Sequence, residues 1–155
     1  MERPYAVDNA RELERLRALV SKLSDQDLGS MVNEYWTVAG VLGHLAFWDG
    51  RALFLAGKLQ RDGALTSSET EPENVDWIND STRPLIQAIP PRQAAEVALR
   101  IAEDIDELVA SLSPALVAKI DANSPLNLVR AEHRGEHLDE IEAALAGRDA
   151  ARRPT

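Results

Sequence analysis

The fold class predicted for this chain is all-α: a four-helix bundle with one long crossover between its second and third helices. Three observations carry that prediction. Four segments repeat apolar residues every three to four positions, the period of a helix with one buried face, whereas no segment sustains the alternation of a strand and no internal repeat is visible. The connections are unequal: residues 24–35 and 113–124 span about a dozen positions each, but residues 60–89 span thirty. A structureless loop of that length is unusual inside a compact domain, and a crossover running the length of a bundle accounts for it.

The first segment, 8–23, places Leu13, Leu16, Val20 and Leu23 on one side, with Asp8 or Asn9 as its cap. The second starts near Thr37, a cap residue, and carries Val38, Val41, Leu45, Trp48, Ala52 and Leu55 on its apolar side. In the long connection, Val75, Trp77, Ile78, Leu85 and Ile86 predict a short additional helix. Pro91 opens the third segment in its first turn, where a missing N–H costs nothing, and Ala94, Val97, Ile101, Ile105, Leu108 and Leu112 give its stripe. The fourth, 126–146, follows Pro125 and runs Leu126, Val129, His133, His137, Ile141, Ala144 and Leu145.

Histidines interrupt two of these stripes. The chain has only three, and His133 and His137 stand four residues apart, so on a helix they share one face at roughly 5 to 6 Å between Cβ atoms. Both continue the buried stripe, and His44 adjoins the apolar side of the second segment. A lone buried imidazole needs only two partners, so His44 by itself reads equally as a core residue satisfied by a carbonyl or hydroxyl. His133 and His137 would each need partners inside an apolar stripe, where an unpaired polar group costs about 1 to 3 kcal/mol. One divalent ion satisfies all three rings. With a rise of about 1.5 Å per residue the three rings come to similar heights if the second and fourth helices are antiparallel, and a parallel arrangement passes as well.

Composition narrows the chemistry. At 155 residues the chain is long enough for one domain, 1–155, with a single core. The net charge of −9 repels phosphate backbones, and the basic residues cluster only at Arg148, Arg152 and Arg153, so no nucleic-acid partner is expected. There is no cysteine. Disulfides, thiolate metal sites and a cysteine nucleophile are excluded, and any thiol chemistry must use a thiol that arrives as a small molecule. The N-terminus shows no basic stretch followed by an apolar run, and the most apolar segment, 36–56, is broken by His44, Asp49 and Arg51. Neither a membrane span nor a membrane partner is expected, and the expected location is the cytoplasm.

Around the histidines, several residues have two readings. Glu136 can serve as a base or hold a ligand ring, or be an ordinary solvated helix residue, since it lies off the stripe. Residues 133–137 also spell H-x-x-E-H, the inverted zinc-protease motif; that reading needs a distant third carboxylate ligand, only 18 residues follow His137, and His44 already supplies a third ligand. Trp36, Trp48 and Trp77 can line an apolar pocket over the ion or simply fill the core. Asp49 and Asn79 can be polar contacts at the site mouth, against turn or surface roles. Arg130 can neutralise a substrate carboxylate or a thiol anion, against a surface ion pair with Glu132 or another acidic residue.

The run Tyr35-Trp36-Thr37-Val38-Ala39-Gly40-Val41-Leu42-Gly43-His44-Leu45, followed by His133-Arg134-Gly135-Glu136-His137-Leu138-Asp139-Glu140-Ile141, resembles the DinB-like superfamily. Its members include bacillithiol S-transferases and the metal-binding domain of mycothiol-dependent maleylpyruvate isomerase. The resemblance is carried by W-T-x-x-x-x-L-x-H-L and H-x-x-E-H-L-x-E-I, and it extends over the whole chain in length and helix order. It implies a four-helix bundle holding a divalent metal, often zinc or nickel, with one histidine from the second helix and two from the fourth; these fall on His44, His133 and His137. It further implies a small-molecule substrate and, for many members, transfer of a low-molecular-weight thiol of the mycothiol or bacillithiol type. The alternatives are a metal-dependent hydrolase of a small substrate and a non-catalytic metal-binding, stress-associated module. The catalytic residues are left unassigned. Members often pair, so a homodimer is expected, with Phe54, Leu55 and Leu59 extending past the core stripe as the residues that fit it.

Overall fold

A computed structural model describes residues 3–65, 75–120 and 124–152. Its helices are α1 (Pro4–Lys22), α2 (Asp25–Leu28), α3 (Val38–Asp62), α4 (Val75–Gln87), α5 (Pro91–Ser111), α6 (Pro114–Val117) and α7 (Ala131–Arg152). Among the described residues there is no strand, only an isolated bridge between Met31 and Thr37. No described helix is long and apolar enough to cross a membrane.

The four long helices α1, α3, α5 and α7 form the bundle: α3 packs against α5 and α7, and α1 against the same two. Thr37 caps α3 by accepting the Gly40 N–H at 3.0 Å, and Gly63, at φ 74°, ends it in the left-handed conformation that glycine adopts without a Cβ penalty. Helix α4 is the predicted helix of the crossover and lies on α3. Ile86 seats against Gly43, where a Cβ would come within 2.7 Å of its side chain, so a larger residue there would push α4 off the bundle. The shorter connections hold α2 and α6, each capped by a serine: Ser24 in a reciprocal capping box with Asp27, and Ser113 on the Leu116 N–H.

Two expected helix boundaries are corrected. Helix α1 begins at Pro4, whose ring suits the first helical position, so neither Asp8 nor Asn9 caps it. The last helix begins at Ala131 rather than 126. Upstream, the Ser124 hydroxyl accepts the Leu126 N–H and the Asn127 side chain accepts the Val129 N–H, two local bonds that compete with helix formation. Asn9, buried in the middle of α1, then accepts the N–H groups of Arg130 and Ala131 and donates to the Leu128 carbonyl. The cap of α7 thus comes from another helix. Leu126 and Val129, expected in the stripe of the last helix, precede it, and Leu126 enters the core with Leu128 from an irregular segment.

That core is in two parts. One gathers Leu16, Leu28, Val38, Leu42, Leu45, Ala98, Leu138 and Ile141; the other Leu55, Leu59, Ile105, Val109, Leu112, Leu126 and Leu128. Between them along the chain fall Asn9 of α1, Asp49 of α3 and Arg134 of α7; joined by Asp106 of α5, next to Ile105, they form a polar layer across the bundle. Leu55 and Leu59 are 5% and 1% exposed and belong to the core, which leaves Phe54 as the exposed member of the trio expected at a dimer face.

Candidate metal centre

The polar layer fixes how α3 and α7 meet. Arg134, 1% exposed, donates to both oxygens of Asp106 at 2.9 and 3.0 Å and to Asp49 at 3.2 Å, while Arg130 donates to the other Asp49 oxygen at 2.8 Å. Burial raises the Asp106 pKa against the opposing pull of Arg134. Asp49 thus serves two arginines inside the bundle, neither at a turn nor on the surface, and Arg130 pairs with Asp49 rather than with Glu132 on the surface. Asp49 lies further along α3 than His44 and meets residues that precede His137 on α7, so the two helices run antiparallel where they touch.

One turn away from that layer the three histidines converge. The Nε2 atom of His133 lies 3.2 Å from Nε2 of His44 and 3.2 Å from Nε2 of His137, and one ligand atom from each ring falls within 4.8 Å of the others. Four-coordinate zinc holds imidazole nitrogens at about 2.0–2.1 Å, which puts any two of them about 3.3 Å apart. The two 3.2 Å separations match that spacing, so the group is able to hold an ion. Direct hydrogen bonding satisfies the rings less well, because each N···N bond consumes one proton and one lone pair, and the His133 nitrogen is shared between two neighbours.

Protonation favours the same reading. Burial, reinforced by the neighbouring His137, holds the His44 pKa down at about 4. Burial lowers His133 to about 3, with His137, His44 and the two arginines adding to the repulsion of a proton. Both rings are therefore neutral near pH 7, the form that donates a lone pair. Glu140 Oε2 lies 2.8 Å from His137 Nδ1, which assigns the His137 proton to Nδ1 and turns its Nε2 lone pair toward the other rings. His44 Nδ1 is buried without a hydrogen-bond partner; whatever satisfies this ring acts at Nε2.

The rings form part of the wall of a cleft of about 450 Å³, lined also by Asn33, Trp36, Val41, Trp48, Val75, Asn79, Arg130 and Glu140. Trp36 and Trp48 stand edge-on to His44, at 5.6 and 6.4 Å between ring centroids. The Trp48 indole donates to Asn79 Oδ1 at 3.0 Å, tying α4 to α3 across the cleft. Trp77 does not join them: it is 61% exposed on α4, neither pocket wall nor core. Glu136 also lies elsewhere, exposed on a different surface beside Asp8, Arg11 and Glu12 of α1. The carboxylate that reaches the rings is Glu140, one turn beyond Glu136, so the inverted-protease reading loses its glutamate. Arg134 and Asp106 have no role in the sequence reading, and Asn9 only that of a cap for the first helix; the signal available was a charged or polar residue in an otherwise apolar register, as at Asp106 beside Ile105.

The family described as mycothiol maleylpyruvate isomerase N-terminal domain matches residues 10–153. Among curated proteins and among solved structures, none matches the chain.

Proposed function

The chain belongs to the mycothiol maleylpyruvate isomerase N-terminal domain family of the DinB-like superfamily, and from that membership we propose that it is a metal-dependent transferase that uses a low-molecular-weight thiol of the mycothiol or bacillithiol type. The observation that carries the reading is the convergence of three imidazole Nε2 atoms in the wall of an accessible cleft. His44, His133 and His137 are the ligands of a single divalent ion, of a kind that imidazole suits; zinc or nickel is what the resemblance to the DinB-like superfamily implies. Three protein ligands leave a position for a further group, the layout of a reactive rather than a purely structural site.

When bound, the ion supplies a Lewis acid that favours a thiolate over a thiol near neutral pH. The chain's own residues do the rest. Glu140 holds His137 in the tautomer that presents Nε2. The Asp49–Arg134–Asp106 cluster fixes α7 against α3 and α5, and with it the position of His133 opposite His44. Trp36, Trp48, Val41 and Val75 give the cleft apolar walls that exclude water from a reacting sulfur, and Asn33 and Asn79 offer amide contacts for a polar cosubstrate. The thiol must come from outside, since the chain has no cysteine.

The test is conjugation of mycothiol or bacillithiol to an electrophile such as monobromobimane by zinc- or nickel-loaded protein. Conjugation above the uncatalysed rate is expected to need the ion and to fall to background in His44→Ala, while circular dichroism shows the helices intact. Turnover that survives His44→Ala would place the activity away from these rings.

A further inference from the structure

Among the described residues lining the histidine cleft, Arg130 is the one with a permanent positive charge. It is 8% exposed, yet its guanidinium is only partly used. Nε donates to Asp49 at 2.8 Å; Nη1 has nothing closer than the Asn127 carbonyl at 3.5 Å, the long limit of a hydrogen bond; and Nη2 has no hydrogen-bond partner among the described residues. Nη2 is also not sealed off, unlike Arg134 Nε, which is buried and unpaired. The two arginines flanking His133 therefore differ. Arg134 spends its fork on Asp106 and Asp49, whereas Arg130 is anchored at one edge and leaves the other open in a largely desolvated wall.

A guanidinium edge anchored by Asp49 and still open to the cleft is free to receive a ligand in place of water. The geometry points to a carboxylate subsite: Arg130 receives the carboxylate of a ligand whose body lies along Trp36 and Trp48, with Asp49 as the residue that orients the fork. A carboxylate fits better than a phosphate. A single guanidinium edge matches one planar monoanion, and the N–H groups at the start of α7 that would help hold a phosphate are already taken by Asn9 for Arg130 and Ala131. This inference rests on reading the histidine cleft as a ligand site. It does not require the transferase reaction.

Calorimetric titration of the zinc-loaded protein with benzoate, its neutral isostere benzamide and inorganic phosphate tests it. Wild type is expected to prefer benzoate over both, and Arg130→Gln to lose about 10- to 100-fold in benzoate affinity, the worth of one charge-assisted hydrogen-bonded pair, with benzamide unchanged. Arg130→Lys, which keeps the charge without the fork, should fall between them. Zinc stoichiometry and circular dichroism establish that each variant is folded, which Arg134 favours by remaining as a partner for Asp49. Benzoate preference retained in full by Arg130→Gln, no preference in wild type, or phosphate bound more tightly than benzoate overturns the subsite. Where conjugation is observed, Arg130→Gln should raise the KM of whichever reactant carries the carboxylate, acceptor or thiol. Absence of conjugation with the benzoate result intact would reject the transferase reading and leave the subsite standing.

Discussion

Two glutamates one turn apart on α7 have opposite roles, and their difference is measurable. Glu140 touches His137 Nδ1 at 2.8 Å, whereas Glu136 faces α1. Removing a carboxylate that orients a metal-ligating imidazole typically costs about 10- to 100-fold in metal affinity. Glu140→Gln should therefore weaken zinc binding by that order in competition with a chromophoric chelator, and Glu136→Gln should leave it unchanged; equal effects would contradict the assignment. The rings also predict a pH response. His44 and His133 titrate at about 4 and about 3 when folded, below the ordinary value of 6.5. Between those values the unfolded chain binds protons that the folded one refuses, so stability falls as pH drops. Metal-free protein should hold its full stability above about pH 6.5 and lose it progressively toward pH 4. Urea midpoints at pH 7.5, 6 and 5 check this, and a flat profile would mean that the rings are not desolvated as described.

At the scale of elements, the start of α7 is set by α1. Asn9 satisfies two N–H groups and one carbonyl across the bundle, and each buried polar group left unpaired costs about 1 to 3 kcal/mol. Asn9→Ala should lower the unfolding free energy by about 2 to 4 kcal/mol, a capping loss enlarged by burial. Asp8→Ala, which breaks only the exposed pair with Arg11, should change it by less than about 1 kcal/mol. Chemical denaturation of both variants distinguishes a buried inter-helix cap from an ordinary surface pair. Both histidines of α7 lie in its first two turns, so a loosened start should weaken zinc binding as well.

For the whole molecule, the proposed ion site joins helices that are far apart in sequence. His44 is 89 residues from His133, so an ion held by both binds the folded chain far better than the unfolded one. With free zinc at 100-fold its Kd the stabilisation is about 2.7 kcal/mol, or roughly 5 to 10 °C in Tm for a chain of this length. Scanning calorimetry with and without chelator at pH 7.5 measures it, and superimposable melting curves would mean no ion bridges α3 and α7. The four helices, the extra helix of the crossover and the shared face of His133 and His137 were legible in the sequence, because apolar period, proline and cap residues act within a few positions of themselves; the buried stripe of α7 is instead Ala131, Arg134, Leu138 and Ile141, with the two histidines half-buried beside it. The resemblance carried by residues 35–45 and 133–141 added the ligand set. What only the tertiary structure decided depends on which faces meet. Val129 and Leu126 fit a helical stripe as well as Leu138 does, until Asn9, about 120 positions away, sets the helix to begin at Ala131. Asp49, Arg130, Arg134 and Asp106 look like surface charges one at a time; they become a buried layer because antiparallel packing brings opposite charges from three helices to one level, where each offsets the desolvation of the others.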